Sequence, residues 1–411
     1  MRYFTLIKTI LFTLCIISCN MSTKKEITEK MELDFPIKYT DTLNSKMKTS
    51  FWKCNDDSHI NSALHYYLQI PNNVKPTSLI EKNIAGINYI KEIASYRRID
   101  ENPYLEIQVV YEKLNHEINP SDWLKNLLKI TKETIIDKRE LKGNAGIYLD
   151  ALSSKIMPNG ETVISRTTSQ KNYDPSTKTA VIVSVKVSCA LKDYPSLAEE
   201  IMAIATGWDF INKSKYQLAE DLKIFDEEKT KDLTFYYPVS WGFGKFIASK
   251  GNPERFAIFN KNDRNVSKGA INIFIDEDEN DEKKLFEKIL KRFNNNDVKV
   301  NITELKEVFN SNEYIEKQWN SKGKIDQKDS LRDGEISIHV LKIKKALILL
   351  EMVGVNKEYD YYESARNTRA LQLIIQTLKT SEKVSSPVVT LKEEENSTTK
   401  KKKKGFFDFL S

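Results

Sequence analysis

A run of carboxylates, Asp276-Glu277-Asp278-Glu279-Asn280-Asp281-Glu282, leads towards Glu287. Oxygen ligands at positions 1, 3, 5 and 12 of such a stretch match a calcium loop, which also needs glycine at its sharp turn. Asp281 stands where that glycine belongs, and Lys283 and Lys284 intrude. The run therefore reads as a strand-to-helix turn, with acids drawn to the helix N-terminus by its dipole. Four histidines, His59, His65, His116 and His339, show no metal-ligand spacing such as His-Glu-x-x-His. His65 and His339 fall in expected strands and read as structural. There is no Gly-x-Ser-x-Gly elbow and no Gly-rich phosphate loop, and glycine is scarce at 13 residues. This pattern predicts a protein without catalytic residues, metal or cofactor.

The most specific chemistry lies at the start. Arg2 and Lys8 form a basic region, and residues 9–18 form a short apolar run. The run is too short for a bilayer of roughly 30 Å. A basic start, a short apolar stretch and a small residue make an export signal. Ile16-Ile17-Ser18-Cys19 resembles a bacterial lipobox, in which the cysteine receives a diacylglyceryl group. Two chains in one group meet the requirement for stable anchoring. Cys15 leaves with the signal and Cys19 takes the lipid, so Cys54 and Cys189 remain. Exported proteins keep disulfides. This pair can bridge, or Cys189 can be a free thiol inside the buried strand Ala180–Cys189.

The far end carries Lys400, Lys401, Lys402, Lys403 and Lys404, then Gly405-Phe406-Phe407-Asp408-Phe409-Leu410-Ser411. Adjacent lysines repel one another and stay solvated. Three readings stand: contact with an anionic lipid surface, a docking peptide with Phe anchors, or a tail that packs back on its own domain. Residues 381–399 read as disordered.

With 40% apolar and 10% aromatic residues, 411 residues can bury two or three cores. Much of the net charge of +6 comes from Arg2, Lys8 and the lysine block. The middle is near neutral, with no Arg-rich stripe and no nucleic-acid motif, so a nucleic-acid partner is not expected.

The middle repeats itself. Tyr66-Tyr67-Leu68-Gln69-Ile70-Pro71 returns as Leu233-Thr234-Phe235-Tyr236-Tyr237-Pro238, an offset of 238 − 71 = 167. Leu105–Tyr111 returns from Ala270 (270 − 105 = 165), and Tyr194 returns as Tyr359 (359 − 194 = 165). Each middle strand precedes an amphipathic helix. One carries Trp123, Leu127, Leu128 and Ile130; the other, from about Asp281, carries Leu285, Phe286, Ile289, Leu290 and Phe293. Closing helices are expected over Ser196–Ile211 and Glu363–Leu378. Antiparallel strand groups with segregated helices give an α+β class. The expected division is a signal at 1–18, a tether at 19–45, a first domain at 46–215, a linker at 216–232, a second domain at 233–380 and a basic-aromatic tail at 381–411. Each domain is expected to be an antiparallel sheet with helices on one side. Tyr359, Tyr361 and Tyr362 read as strand-end packing or an exposed contact patch.

An aromatic strand ending in proline, with Tyr237-Pro238-Val239-Ser240-Trp241, a long antiparallel sheet and a closing helix resembles the Mog1/PsbP-like fold, including envelope lipoproteins similar to DcrB. The resemblance covers 233–380 well and 60–212 less well, where Asn72-Asn73-Val74 replaces Val239-Ser240-Trp241. It implies a binding or assembly role and carries no catalytic residues. The expected function is a non-enzymatic, membrane-anchored envelope lipoprotein binding a protein complex. A small-ligand or cell-wall-binding lipoprotein is the alternative. Lys24 and Lys25, without an acidic run after Cys19, favour the periplasmic face of the outer membrane.

Overall fold

The computed structural model describes residues 33–380 except 85–86, 101–102, 144–145, 216–217, 227–232, 250–253, 262–266, 296–297 and 327–333. Helix α1 (Asp41–Ser50) leads into β1 (Phe51–Asp56), β2 (Tyr66–Pro71), β3 (Val74–Ser78), β4 (Lys82–Ile84), β5 (Ile87–Arg98) and β6 (Glu106–Leu114). Helix α2 (Pro120–Ile130) precedes β7 (Thr134–Gly143), β8 (Gly146–Ile156), β9 (Thr162–Asp174), β10 (Thr179–Ala190), α3 (Tyr194–Thr206) and β11 (Trp208–Phe210). The second half opens with β12 (Leu222–Phe225), β13 (Leu233–Pro238), β14 (Gly242–Phe246), β15 (Arg255–Lys261) and β16 (Ser267–Asp276). Helix α4 (Glu282–Asn295) follows, then β17 (Lys299–Ile302), β18 (Lys306–Val308), β19 (Lys317–Asp326), β20 (Gly334–Ile343), β21 (Ala346–Val355), α5 (Tyr361–Thr377) and β22 (Lys379–Thr380).

The halves are two related antiparallel α+β domains. The first large sheet runs β3-β5-β6-β10-β9-β8-β7, and the second runs β14-β15-β16-β21-β20-β19-β17. An eighth strand joins each, β4 on β5 and β18 on β19. Small sheets β1-β2-β11 and β12-β13-β22 accompany them. Registers correspond as well: Lys186 faces Gln108 across β10 and β6, and Glu351 faces Asn272 across β21 and β16.

The central strands explain the layering. Val181, Val183, Val185 and Val187 of β10 pack with Leu197, Ile201 and Ile204 of α3. The alternate residues Ala180 and Ile182 pack with Trp123, Leu124 and Leu127 of α2. In β21, Ile348 and Leu350 meet Leu371 and Ile374 of α5, while Leu347 and Leu349 meet Leu285 and Ile289 of α4. Successive strand side chains point to opposite faces, so each sheet carries a helix on each face. This corrects the expectation of helices on one side. The stretches Ala180–Val183 of β10 and Ala346–Leu350 of β21 are apolar without a break because both faces are covered. Fully burying each such side chain contributes about 1.5–3 kcal/mol.

Two domain limits also shift. Leu33 and Phe35 pack against the first core, and Leu43 of α1 is buried beside Met202 and Ala203. Residues 33–45 thus belong to the first domain rather than to a tether, because their apolar side chains find cover on it. Leu222–Phe225, placed in the linker by sequence, pairs with β13 and stacks Phe225 on Phe235, with ring centroids 4.4 Å apart. Cys54 and Cys189 are both free thiols, Cys54 half-buried and Cys189 buried. Burial raises the Cys189 pKa to about 12.

The matching positions Lys186 and Glu351 (351 − 186 = 165) carry opposite charges, with partners on the α2 face of the first sheet and the α4 face of the second. Lys186 donates to Glu133, just after α2, at 2.5 Å. Glu351 accepts from Arg292 of α4 and from Asn272 at 2.6 Å, and its side chain is fully buried. Burial raises the Glu351 pKa, and Arg292 opposes the rise. Removing one partner of a buried pair costs about 3–5 kcal/mol, while an apolar pair of similar volume is often tolerated. Urea unfolding should therefore show Glu351→Ala destabilised by about that amount, with a Glu351→Leu/Arg292→Leu pair closer to wild type. Equal losses in both would contradict the assignment.

Candidate functional site: the interdomain seam and an aromatic edge

The segment that enters α2 is polar, yet the structure buries it. Glu117 precedes α2 by three residues, and its side chain is inaccessible. Its carboxylate accepts two hydrogen bonds from Lys171 Nζ of β9, at 2.7 and 2.8 Å. It also accepts from Arg369 Nε of α5 at 2.9 Å and from the Ala219 backbone N–H at 2.7 Å. Glu220 accepts from the Glu117 and Ser240 backbone N–H groups, both at 2.8 Å. Two carboxylates and two cations thus meet where strand, inter-half segment and second-domain helix converge. Burial lowers the Lys171 pKa to about 8, with Glu117 opposing the fall. Burial raises that of Glu220, and the N–H donors oppose it.

Around this centre α2 and α5 are stitched together. Asn119 Nδ2 donates to Gln372 Oε1 at 3.0 Å, and Tyr361 OH donates to Asp122 at 3.2 Å. Glu112 accepts from Tyr362 OH at 2.8 Å and from Trp123 Nε1 at 2.6 Å. The His116 ring meets Tyr362 edge-on at 5.3 Å, with Nε2 3.0 Å from the hydroxyl. Ala219, Ala365, Tyr361 and Tyr362 complete the apolar cluster around Trp123. The tyrosines at 361 and 362 are therefore anchors between domains, whereas Tyr359 is 57% exposed.

A second feature is the free side of β14. This strand ends its sheet and pairs with β15 alone in the strand order of the described residues. Phe243, Phe246 and Ile247 are exposed, the last by 82%. Phe243 leans on Phe225 and Phe256, and Arg255 lies over the Phe246 ring at 4.8 Å. A Cβ on Gly242 would lie 2.3 Å from the Phe259 ring, so glycine there admits that ring against the strand. The matching edge, β3, is blunted by Pro76 and a register shift at Pro76/Ser78. Proline and bulges protect edges from pairing with other chains; β14 has no proline.

The acidic run forms the turn into α4. Asp276 accepts from the Asp278 and Glu279 N–H groups, and Asp281 from those of Lys283 and Lys284. Lys288 donates to Asp276 at 2.8 Å. Among the described residues no group of His, Cys, Asp or Glu is arranged to hold a metal. Cys19 and the tail residues Lys400–Lys404, Phe406, Phe407, Phe409 and Leu410 lie outside the described residues. Sequence reasoning missed Glu117, Lys171, Glu220 and Arg369. Lys171 stands in the polar run Ser169-Gln170-Lys171-Asn172, which gave no sign of burial.

No protein-family model matches the chain, and no curated protein matches it by sequence. Structural neighbours are Mog1/PsbP-like folds. The Ran-binding protein Mog1p of Saccharomyces cerevisiae aligns at 9% identity over 39% of this chain and 96% of its own, with a TM-score of 0.27. PsbP of the cyanobacterium Synechocystis aligns at 10% over 39% and 92%, with a TM-score of 0.27. LpqN, involved in cell envelope biogenesis in Mycobacterium tuberculosis, aligns at 14% over 42% and 98%, with a TM-score of 0.25. At these identities the likeness concerns fold and not activity.

The seam makes stability depend on acid. Burial, aided by Arg366 and Lys171, depresses the His116 pKa from 6.5 to about 3. As pH falls below 6.5 the unfolded chain takes this proton and the folded chain does not. Stability is therefore present above 6.5 and is lost towards pH 3. At pH 5 this loss is about 1–2 kcal/mol. His339, lowered to about 4 by burial, adds its own share. Urea unfolding at pH 7 and pH 5 should show a smaller acid loss in His116→Gln than in wild type. An unchanged loss would remove His116 from the account.

Proposed function

We propose that this is a cell-envelope lipoprotein, anchored through Cys19, that binds a protein partner and performs no chemistry of its own. The observation that carries the binding role is the β14 edge, unpaired among the described residues, with Ile247 and Phe246 exposed and Phe243 partly so. Exposed apolar patches rimmed by charge mark interaction surfaces, and an open edge accepts an extended segment by strand addition. The seam supports the same reading, because it presents that edge from a fixed two-domain body rather than from a domain on a loose linker. The tail, with Phe406, Phe407 and Phe409 behind Lys400–Lys404, supplies a second contact with the same partner complex. No helix among the described residues is long and apolar enough to cross a membrane. The proposed membrane attachment is the lipid on Cys19, on the periplasmic face of the outer membrane.

Cys19→Ala should move the protein from the membrane to the soluble fraction, read by fractionation and by loss of incorporated labelled fatty acid. Retention in the membrane with label intact would end the lipoprotein reading.

Crosslinking from native membranes tests the partner reading. Wild type should recover a defined set of envelope proteins. A chain ending at Lys383, and Phe243→Glu/Phe246→Glu in the full chain, should each lose most of that set. Recovery of the same set by both variants, or of no protein by any of the three, would contradict it.

A further inference from the structure

On its outer side β14 meets no strand among the described residues, and the tail departs close by. The last described strand, β22, pairs Thr380 with Leu233 of β13. Two residues on, the Phe235 ring stacks on Phe225 at 4.4 Å, and Phe225 meets Phe243 of β14 at 5.9 Å. From Thr380 to the β14 edge is therefore a path of no more than about 30 Å. The apolar tail segment Phe406–Leu410 begins after 25 intervening residues (405 − 380 = 25). A random coil of that length spans on the order of 25–30 Å between its ends. Effective concentration is highest when the mean length of a linker matches the gap, and it then reaches about millimolar. Even a weak edge contact therefore holds the segment.

The two faces of β14 differ. Phe243 and Lys245 lie opposite Ile258 and Phe256 of β15, and Ile247 follows in the same alternation. Phe243 is 37% exposed, and Lys245 Nζ is 3.9 Å from Glu254, a loose pair at the surface. Gly242, Gly244 and Phe246 make the other face. A Cβ on Gly244 would stand 3.4 Å from the Phe246 and Phe259 rings, so the bare glycine keeps this face low between them. The tail segment alternates in the same way, Phe406, Asp408 and Leu410 against Phe407 and Phe409. Asp408 is the one carboxylate side chain in residues 397–411.

We propose that Phe406–Leu410 adds to β14 of its own chain as an antiparallel strand, with Asp408 opposite Lys245. This register sets Leu410 opposite Phe243 and Phe406 opposite Ile247, apolar on apolar. It sets Phe407 opposite Phe246, and Phe409 opposite Gly244, where no side chain stands in its way. Opposite charges and aromatic pairs facing one another across strands are the favourable combinations. A slip of one residue would carry Asp408 to the glycine face, away from Lys245. Lys400–Lys404 precede the strand and stay solvated. The docked tail becomes the outer strand of the sheet, so the partner proposed above meets a composite of tail and edge. The docking itself is intramolecular and needs no partner.

Amide hydrogen exchange on the purified full-length protein in detergent tests this with no partner present, so its failure leaves the partner reading untouched. Outward amides of residues 243–247 should exchange about tenfold or more slowly than in a chain ending at Lys383. Asp408→Lys should cancel most of that protection. Register is read by disulfide trapping in a Cys54→Ser background. Lys245→Cys/Asp408→Cys should close a bridge within one chain, and Lys245→Cys/Phe407→Cys, whose side chains point to opposite faces, should form far less. Equal exchange with and without the tail, protection that survives Asp408→Lys, equal trapping of both pairs, or bridges formed only between chains would each overturn the proposal.

Discussion

The Glu117 carboxylate is the constraint on which the arrangement of the molecule depends. A charge with no access to water is tolerated only when paired and hydrogen-bonded. Here the donors come from three places far apart in the chain: Lys171 on β9, the Ala219 N–H between the halves, and Arg369 on α5, 252 residues away. No single domain satisfies Glu117. If the second domain moved away, Glu117 would lose Arg369 and Glu220 would lose the Ser240 N–H, each at a freshly opened surface. Direction matters as well as strength, since each donor fixes an angle. The seam therefore sets one orientation of the two domains, which an apolar contact of similar area would leave freer to slide.

Helix α5 serves two cores at once. Leu371 and Ile374 close the second sheet, while Ala365, with Tyr361 and Tyr362 at the helix start, joins the cluster around Trp123. The first-domain counterpart, α3, has no such outward duty; its outer side meets Leu43 of α1. The duplicated fold is thus used asymmetrically. One closing helix holds the N-terminal segment and the other holds the neighbouring domain. The edges diverge in the same manner, with Pro76 closing β3 and the Phe-bearing β14 left open.

Local periodicity was readable from the chain. The apolar sets of α2 and α4, with Trp123, Leu127, Leu285 and Ile289, lie where three-and-four spacing put them. The two sheets share one strand order, as the offsets of 165–167 suggested. What was not readable depends on partners. A short apolar run such as Ala180–Val183 does not tell one covered face from two. Residues 33–40 look like a tether until Arg139 and Arg166 are seen to hold their carbonyls. Glu117 and Arg369 look like surface residues, because nothing local marks a charge whose counter-charge lies 252 positions away. The Asp276–Glu282 run was legible as a helix entry, since its lysines and missing glycine spoke against a calcium loop.

The central claim is that the seam makes two domains one cooperative body. Scanning calorimetry of wild type and Glu117→Ala at neutral pH tests it most directly. The account predicts one transition in wild type, with calorimetric and van't Hoff enthalpies equal. It predicts two separable transitions in the variant, each with the enthalpy of a single domain. Two transitions in wild type, or a single one in Glu117→Ala at an unchanged temperature, would contradict it.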